Sequence, residues 1–302
     1  MVASPSCRDR WLFAESPAIY ASIGVVSSCT VQKPGFSVKL KPVTRGSIRL
    51  DDAAARPGGN SPEGKALKKA IREQVKRIST LQRVFFADAR YALLIVLQGR
   101  DASGKDGTIR KVFSAVNPQG CTVSSFGVPT GMEQRRDFLW RIHQVIPPRG
   151  MFGIFNRSHY EDVLVPRVRK LVPAKTIASR YDQINDFESM LTANGVVIVK
   201  FMLHISRDEQ KARLIARLTD PEKNWKFREG DLDDRRRWND FTKAYRAVLE
   251  NTNTKAAPWY VVPADHKKTR NLLIAKHIAD TLDALDLRYP PVDPALKGIT
   301  VE

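Results

Sequence analysis

The sequence predicts an α/β fold in which a central parallel sheet carries helices on both faces. Three observations predict it. Five short apolar runs, Ala92–Gln98, Thr122–Gly127, Met151–Phe155, Val196–Leu203 and Trp259–Val262, read as buried strands. Helical patterns lie between them, at about 105–116, 131–145, 176–193, 206–218, 232–252 and 268–286, which is the alternation that builds parallel crossovers. A glycine-rich loop follows the first run directly and opens a helix.

The elements follow in order. Residues 1–33 are serine-rich, hold only Asp9 and Glu15 as acids and show no periodicity. They read first as a disordered extension. The alternatives are an upstream start codon, a transit-type targeting peptide, or a lipoprotein-type signal ending at Cys29, whose apolar core Glu15 and Pro17 would interrupt. Residues 34–60 are loop-like. Ser61-Pro62 opens a helix, with proline at its first position. Leu67, Ile71, Val75, Ile78, Leu81 and Phe85 form its apolar stripe, and Lys65, Lys68, Lys69, Arg72, Lys76 and Arg77 occupy its other faces. The strand–helix alternation then runs from 92 onward. Residues 219–255 are the exception: polar, charged and helical, inserted between two strands as a lid would be. The domain expected is therefore 34–302, with its lid at about 219–255.

Composition narrows the function. The 302 residues suffice for one large domain with a sizeable core. At 42% hydrophobic and 27% charged the chain reads as globular. Its longest clean apolar run, Ala92–Leu97, is far short of a membrane helix. Three scattered cysteines give neither a disulfide framework nor a zinc site, so a reducing, cytoplasmic setting is expected. The net charge of +18 favours a polyanionic partner, whether nucleic acid, anionic membrane or polymeric phosphate.

The loop Gly99-Arg100-Asp101-Ala102-Ser103-Gly104-Lys105-Asp106-Gly107-Thr108 has the G-x-x-x-x-G-K spacing in its required strand–loop–helix context. Glycines let backbone N–H groups form a concave nest, the helix start adds positive potential, and Lys105 neutralises phosphate oxygens. Gly99, Ser103, Gly104, Gly107 and Thr108 are therefore candidate phosphate binders. Asp106 stands where common phosphate loops carry Ser or Thr, and Asp101 adds a second carboxylate. Both make sense beside phosphates if a divalent metal is held there. The second cluster, Asn156-Arg157-Ser158-His159-Tyr160-Glu161-Asp162, follows the third strand. It sits at a carboxyl strand end, where ligands of open α/β sheets bind. Ser158 and Glu161 also have capping-box spacing. His159 reads as a structural hydrogen bonder.

In these two stretches, and in Pro221-Glu222-Lys223-Asn224-Trp225-Lys226-Phe227-Arg228-Glu229-Gly230-Asp231, the sequence resembles the family-2 polyphosphate kinases. Val116–Gly120 and Ser125–Thr130 fit as well, and the likeness runs from about residue 34 to the end. The resemblance implies a three-layer P-loop kinase fold with a central parallel sheet and an inserted helical lid. It also implies Mg²⁺-dependent (or Mn²⁺-dependent) phosphoryl transfer between inorganic polyphosphate and nucleoside mono- and diphosphates. Asn156 and Glu161 resemble the subgroup that phosphorylates both acceptors. Catalytic roles fall on Asp101, Lys105, Arg157 and Glu161. Metal binding falls on Asp101, Asp106, Asn156 and Asp162, and substrate binding on Arg141, Lys223, Lys226, Arg228 and Asp231 besides the loop. Residues 135–175 hold nine Lys/Arg against three acids, enough to line a polyphosphate channel. A homo-oligomer with no nucleic-acid or membrane partner is expected. The rival readings are an ATP-dependent nucleotide kinase and a nucleic-acid-binding P-loop ATPase.

Overall fold

The structure is a computed structural model that describes residues 39–59, 61–296 and 299–301. The expectations for residues 1–33, with Cys7 and Cys29, lie outside the described residues. Five strands form one all-parallel sheet: β1 (Ala92–Gln98), β2 (Cys121–Ser125), β3 (Phe152–Asn156), β4 (Val196–His204) and β5 (Trp259–Pro263), in the spatial order β2-β3-β1-β4-β5. β1 is central and buried along its whole length, as an uninterrupted Leu-Leu-Ile-Val-Leu run requires when both faces are covered.

The pleat sends alternate side chains of β1 into two cores. Leu94 and Val96 enter one, with α5 (Glu161–Val168), α6 (Ala174–Ala193) and α9 (Trp238–Asn251) packed over it. Leu93, Ile95 and Leu97 enter the other, covered by α1 (Gly64–Asp88), α2 (Lys105–Val112) and α10 (Lys267–Asp283). These are the three layers. The remaining helices are α3 (Gly131–Gln134), α4 (Trp140–His143), α7 (Arg207–Thr219) and α8 (Glu229–Arg236).

Among the boundaries that differ from the sequence expectation, four have a local reason. α1 starts at Gly64 after the N-cap Glu63, so Pro62 lies outside the helix. The helix expected at 131–145 is two short turns, α3 and α4, because the Asp137 carboxylate accepts the Leu139 N–H (3.0 Å) and breaks the run. The helix expected at 105–116 ends at Val112, capped by the Phe113 N–H on the Ile109 carbonyl. The polar segment 219–255 divides at Arg237. Its first part is outer and polar, with Trp225 76% exposed. Its second part, α9, buries Trp238, Phe241, Ala244, Tyr245 and Val248 and is a core helix.

The register Leu97↔Asn156 puts the carboxyl ends of β1 and β3 side by side. The two motif-bearing loops, at 99–104 and 157–160, therefore emerge next to each other at one end of the sheet.

Candidate active site

The loop between β1 and α2 needs two of its glycines for stated reasons. Gly99 has φ +149°, and a Cβ there would lie 2.6 Å from the Leu203 carbonyl oxygen. Gly104 has φ +99°, and a Cβ would collide with the Arg270 guanidinium. Two non-glycine residues, Ala102 in the loop (φ +62°) and Arg157 in the adjoining one (φ +65°), also have left-handed backbone. Such residues cost of order 1–3 kcal/mol each and gather at functional sites.

Side chains from α7 and α10 grip the loop from outside. Arg270 donates to the Ser103 carbonyl (2.9 Å). Arg213 donates to the carbonyls of Ala102 (2.9 Å) and Ser103 (3.2 Å), and Gln210 to that of Asp101 (3.1 Å). The Arg100 guanidinium lies 3.9 Å from the Trp238 ring centre and donates to the Trp238 carbonyl and the Thr242 hydroxyl. With loop carbonyls engaged this way, the opposite side of the loop is left to its N–H groups and to Lys105. Lys105 is buried and donates to the Gly99 carbonyl (2.7 Å). The Ser103 hydroxyl is buried and has no hydrogen-bond partner among the described residues.

Four expected catalytic residues converge here. Arg157 donates to Asp101 (2.7 Å). Lys105, Arg157, Asp101 and Glu161 are near enough to shift one another's titration. Burial pulls the Lys105 ammonium down to about 8, and Arg157 adds repulsion that Asp101 and Glu161 only partly offset. Burial opposes the Arg157 charge too, but Glu161 and Asp101 outweigh it and hold the guanidinium above its ordinary value. The two carboxylates are driven apart. Burial raises Asp101, but Lys105 and Arg157 prevail and bring it below the usual range, whereas at Glu161 burial prevails and the net shift is upward. Opposed shifts of neighbouring carboxyls in one cleft mark a candidate site.

The other expected residues divide. Asn156 donates to Asp106 (2.7 Å), so these two potential ligands are neighbours. Asp231 reaches the site from α8, held by Arg217 (2.8 Å) and pushed up first by burial and then by Asp101. Lys223, Lys226 and Arg228 stay on the outer segment, Lys223 paired with Asp220 and Lys226 over the Trp225 ring (4.8 Å). Gly107 packs near Arg270, and the buried Thr108 hydroxyl donates to Asn271 (3.4 Å) on α10, so neither fits the expectation of a direct phosphate contact as it stands.

The expected metal ligands do not all share the same neighbours. Among the described residues no three His, Cys, Asp or Glu side chains gather as a metal site. Asp162 has a buried partner of its own: Arg141 donates to its carboxylate (2.8 Å), and Arg180 to its backbone carbonyl (2.6 Å). Arg141, expected to bind substrate, is thereby a buried pairing residue that also donates to the Gly127 carbonyl (3.0 Å). The capping box is absent as well. The Ser158 hydroxyl accepts from Tyr160 N–H (3.3 Å), and the Glu161 carboxylate engages Gln98 instead. His159 is structural, as expected. It meets Glu188 (3.2 Å), which also takes hydrogen bonds from Tyr160 (2.8 Å) and Lys200 (2.6 Å) inside the core.

Sequence reasoning missed Arg100, Gln210, Arg213, Arg217 and Arg270. Only Arg100 carries a local signal, its place in the loop. The others are single polar residues on distant helices.

Comparison with known proteins agrees with this geometry. The family profile described as polyphosphate kinase 2 matches residues 62–290. An AMP/ADP-polyphosphate phosphotransferase of Meiothermus ruber is 49% identical over 252 residues, covering 83% of this chain and 93% of the relative. An ADP-polyphosphate phosphotransferase of Rhodopseudomonas palustris is 44% identical over 237 residues, covering 74% and 82%. The crystal structure of polyphosphate kinase 2 from Arthrobacter aurescens superposes with a TM-score of 0.77 at 43% identity, over 79% of this chain and 86% of that one.

Proposed function

The chain belongs to the polyphosphate kinase 2 family, and from that membership and its phosphate loop we propose that it moves the terminal phosphoryl group of inorganic polyphosphate onto nucleoside mono- and diphosphates. One P–O bond at the end of the polymer breaks and one forms to the acceptor's terminal phosphate oxygen. The polymer shortens by one unit, and the acceptor becomes a nucleoside di- or triphosphate. The observation that carries the reading is the convergence of Lys105, Arg157, Asp101 and Glu161 at the adjoining ends of β1 and β3.

In such a transfer the charge spreads over the equatorial oxygens, so catalysis is positioning and electrostatics. Lys105 and Arg157 supply the cations. Asp101 fixes the Arg157 guanidinium, while Arg213 and Arg270 fix the loop that presents its N–H groups. Asp101, Asp106 and the Asn156 amide are hard oxygen donors. Mg²⁺ is commonly held by one or two carboxylates plus substrate phosphates, so the residues present fit Mg²⁺ or Mn²⁺ without a third acid. When bound, the ion would neutralise and orient the phosphates. Glu161, with its raised pKa, is the carboxyl suited to lie close to acceptor phosphates. That supports use of both AMP and ADP, as named for the relative from Meiothermus ruber.

A cytoplasmic setting, a homo-oligomeric state and indifference to nucleic acid go with this reading; light scattering and a gel shift test the last two. No helix among the described residues is long and apolar enough to cross a membrane. The deciding assay is AMP with polyphosphate and Mg²⁺, read as ADP and then ATP. Turnover with ATP as donor and none with polyphosphate would replace this reading with the nucleotide-kinase one.

A further inference from the structure

The reaction site does not use the cationic face of α1. At 100° per residue, Lys65, Lys68, Lys69, Arg72, Lys76 and Arg83 fall within about 120° of the helix circumference. All six are exposed. From Lys65 to Arg83 the row is about 27 Å long at 1.5 Å per residue. Toward its lower end the row opens into a groove of about 330 Å³ between α1 and the end of α2. There Arg72, Lys76 and Arg83 face Lys111 across the Ser79 and Ser114 hydroxyls, with no acid in the lining.

None of these seven cations forms an ion pair or side-chain hydrogen bond among the described residues. Arg77 on the same helix shows the contrast: it is half-buried and paired with Asp280 (2.8 Å) and Asp283. A helix face that needed only solubility would interleave acids three and four residues away. Here the neighbours 65/68, 65/69, 68/72, 69/72 and 72/76 are like-charged, and the acid at such a spacing, Glu73, is exposed and forms no ion pair with Lys69 or Lys76 among the described residues.

The direction of α1 links the row to the reaction site. Leu67 and Ile71 pack with Leu272 in the first turns of α10, and Arg270, two residues earlier, touches the phosphate loop. The C-terminal end of α1 lies by the start of β3, where a Cβ on Gly150 would be 3.2 Å from the Phe86 carbonyl. The row therefore begins at the loop-bearing end of the sheet and runs down its flank.

We propose that this face of α1, together with Lys111, is a second, non-catalytic binding track for the polyphosphate chain, holding a distal stretch of the polymer whose end is in the phosphate loop. This rests on the polyphosphate reading above. A straight row of unpaired cations matches a linear polyanion rather than a compact anion. Between Lys65 and Arg83 the helix offers no aromatic side chain on which bases would stack, which favours polyphosphate over nucleic acid.

The test is the combined variant Arg72→Ala, Lys76→Ala, Arg83→Ala and Lys111→Ala. Its readouts are the Michaelis constants for tetraphosphate and for long-chain polyphosphate across a salt series. The advantage of the long chain over tetraphosphate should fall about tenfold or more at physiological salt. The slope of log KM for the long chain against log salt should fall by roughly 3, from about 0.7 per cation removed. A variant with the parent's melting curve and an unchanged chain-length advantage overturns the track. So does loss of single-stranded DNA affinity with polyphosphate kinetics unchanged, which would make the face a nucleic-acid site. If the fourfold variant does not fold, Lys65→Glu with Lys69→Glu on the same face carries the same expectation. A parent that turns over no polyphosphate would refute the functional reading instead, and retardation of labelled long-chain polyphosphate by parent and variant would then decide the track by itself.

Discussion

Lys105 gives the sharpest test of the site, because its chemistry predicts a gain in one property and a loss in another. Its ammonium is buried, and burial with Arg157 nearby lowers it from 10.5 to about 8. At 1.36 kcal/mol per unit, holding the charge costs the folded enzyme about 3 kcal/mol in the absence of substrate. Lys105→Met removes that cost, together with the bonds to the Gly99 and Arg100 carbonyls, which are worth about 1.5–3 kcal/mol as charged hydrogen bonds. At pH 7 the variant should therefore be between unchanged and about 1.5 kcal/mol more stable, although turnover falls by several orders of magnitude. The pH dependence separates the two contributions. Between about pH 8 and 10.5 the unfolded parent holds the Lys105 proton and the folded parent has lost it, so the parent gains stability as pH rises. The variant has no such gain. Its stability relative to the parent should fall by about 3 kcal/mol between pH 7 and 10.5, measured by urea unfolding without nucleotide or polyphosphate. A parent–variant difference that does not change with pH would show that the ammonium is not desolvated, and the closed phosphate loop would be wrong.

Three other substitutions address the neighbours of Lys105. Arg270, lowered to about 9 by burial and then by Arg213, acts through the Ser103 carbonyl; Arg270→Lys should lower kcat roughly 100-fold with KM for the nucleotide little changed, since lysine lacks the fork, and equal losses in both would mean a general folding defect. Asp106→Ser should weaken apparent Mg²⁺ affinity rather than improve the loop, because serine is a neutral ligand; an unchanged Mg²⁺ titration would reduce Asp106 to a helix-start charge. Glu161→Asn should impair one of the AMP and ADP steps at least tenfold more than the other, and proportional loss in both, measured as separate turnovers, would leave Glu161 with no part in acceptor choice.

Much of the fold was legible because its signals are local. The limits of β1 follow from a single unbroken apolar run, and the phosphate loop from the spacing of Gly99, Gly104 and Lys105. What escaped depends on contacts distant in sequence. Arg213 and Arg270 meet the loop from more than 100 residues away, and a lone arginine on an amphipathic helix gives no sign of which carbonyl it will find. Asp162 has the right residue type and neighbours for a metal ligand, and only the packing of Arg141 against it reveals another use. Residues 238–251 look polar when averaged with 219–237, yet their apolar positions fall on one face and enter the core.

The same distant arginines explain why the loop is built from unfavourable parts. Lys105, Arg270 and Arg100 are all buried, and burial lowers each below its ordinary pKa, to about 8, 9 and 10. Arg100 has two guanidinium nitrogens with no hydrogen-bond partner among the described residues. None of this favours the fold alone, since a buried cation without an acid partner is destabilising. It favours a site whose ligand brings several negative charges at once. A polyphosphate end entering the loop would supply the missing anions and restore the lysine's proton affinity. Lys105, held on the Gly99 carbonyl, and Arg157, held by Asp101, are already placed for the charge that spreads over the transferring group, while Arg270 holds the loop from behind. The stability given up in folding the loop thus reappears as electrostatic preorganisation for the reaction.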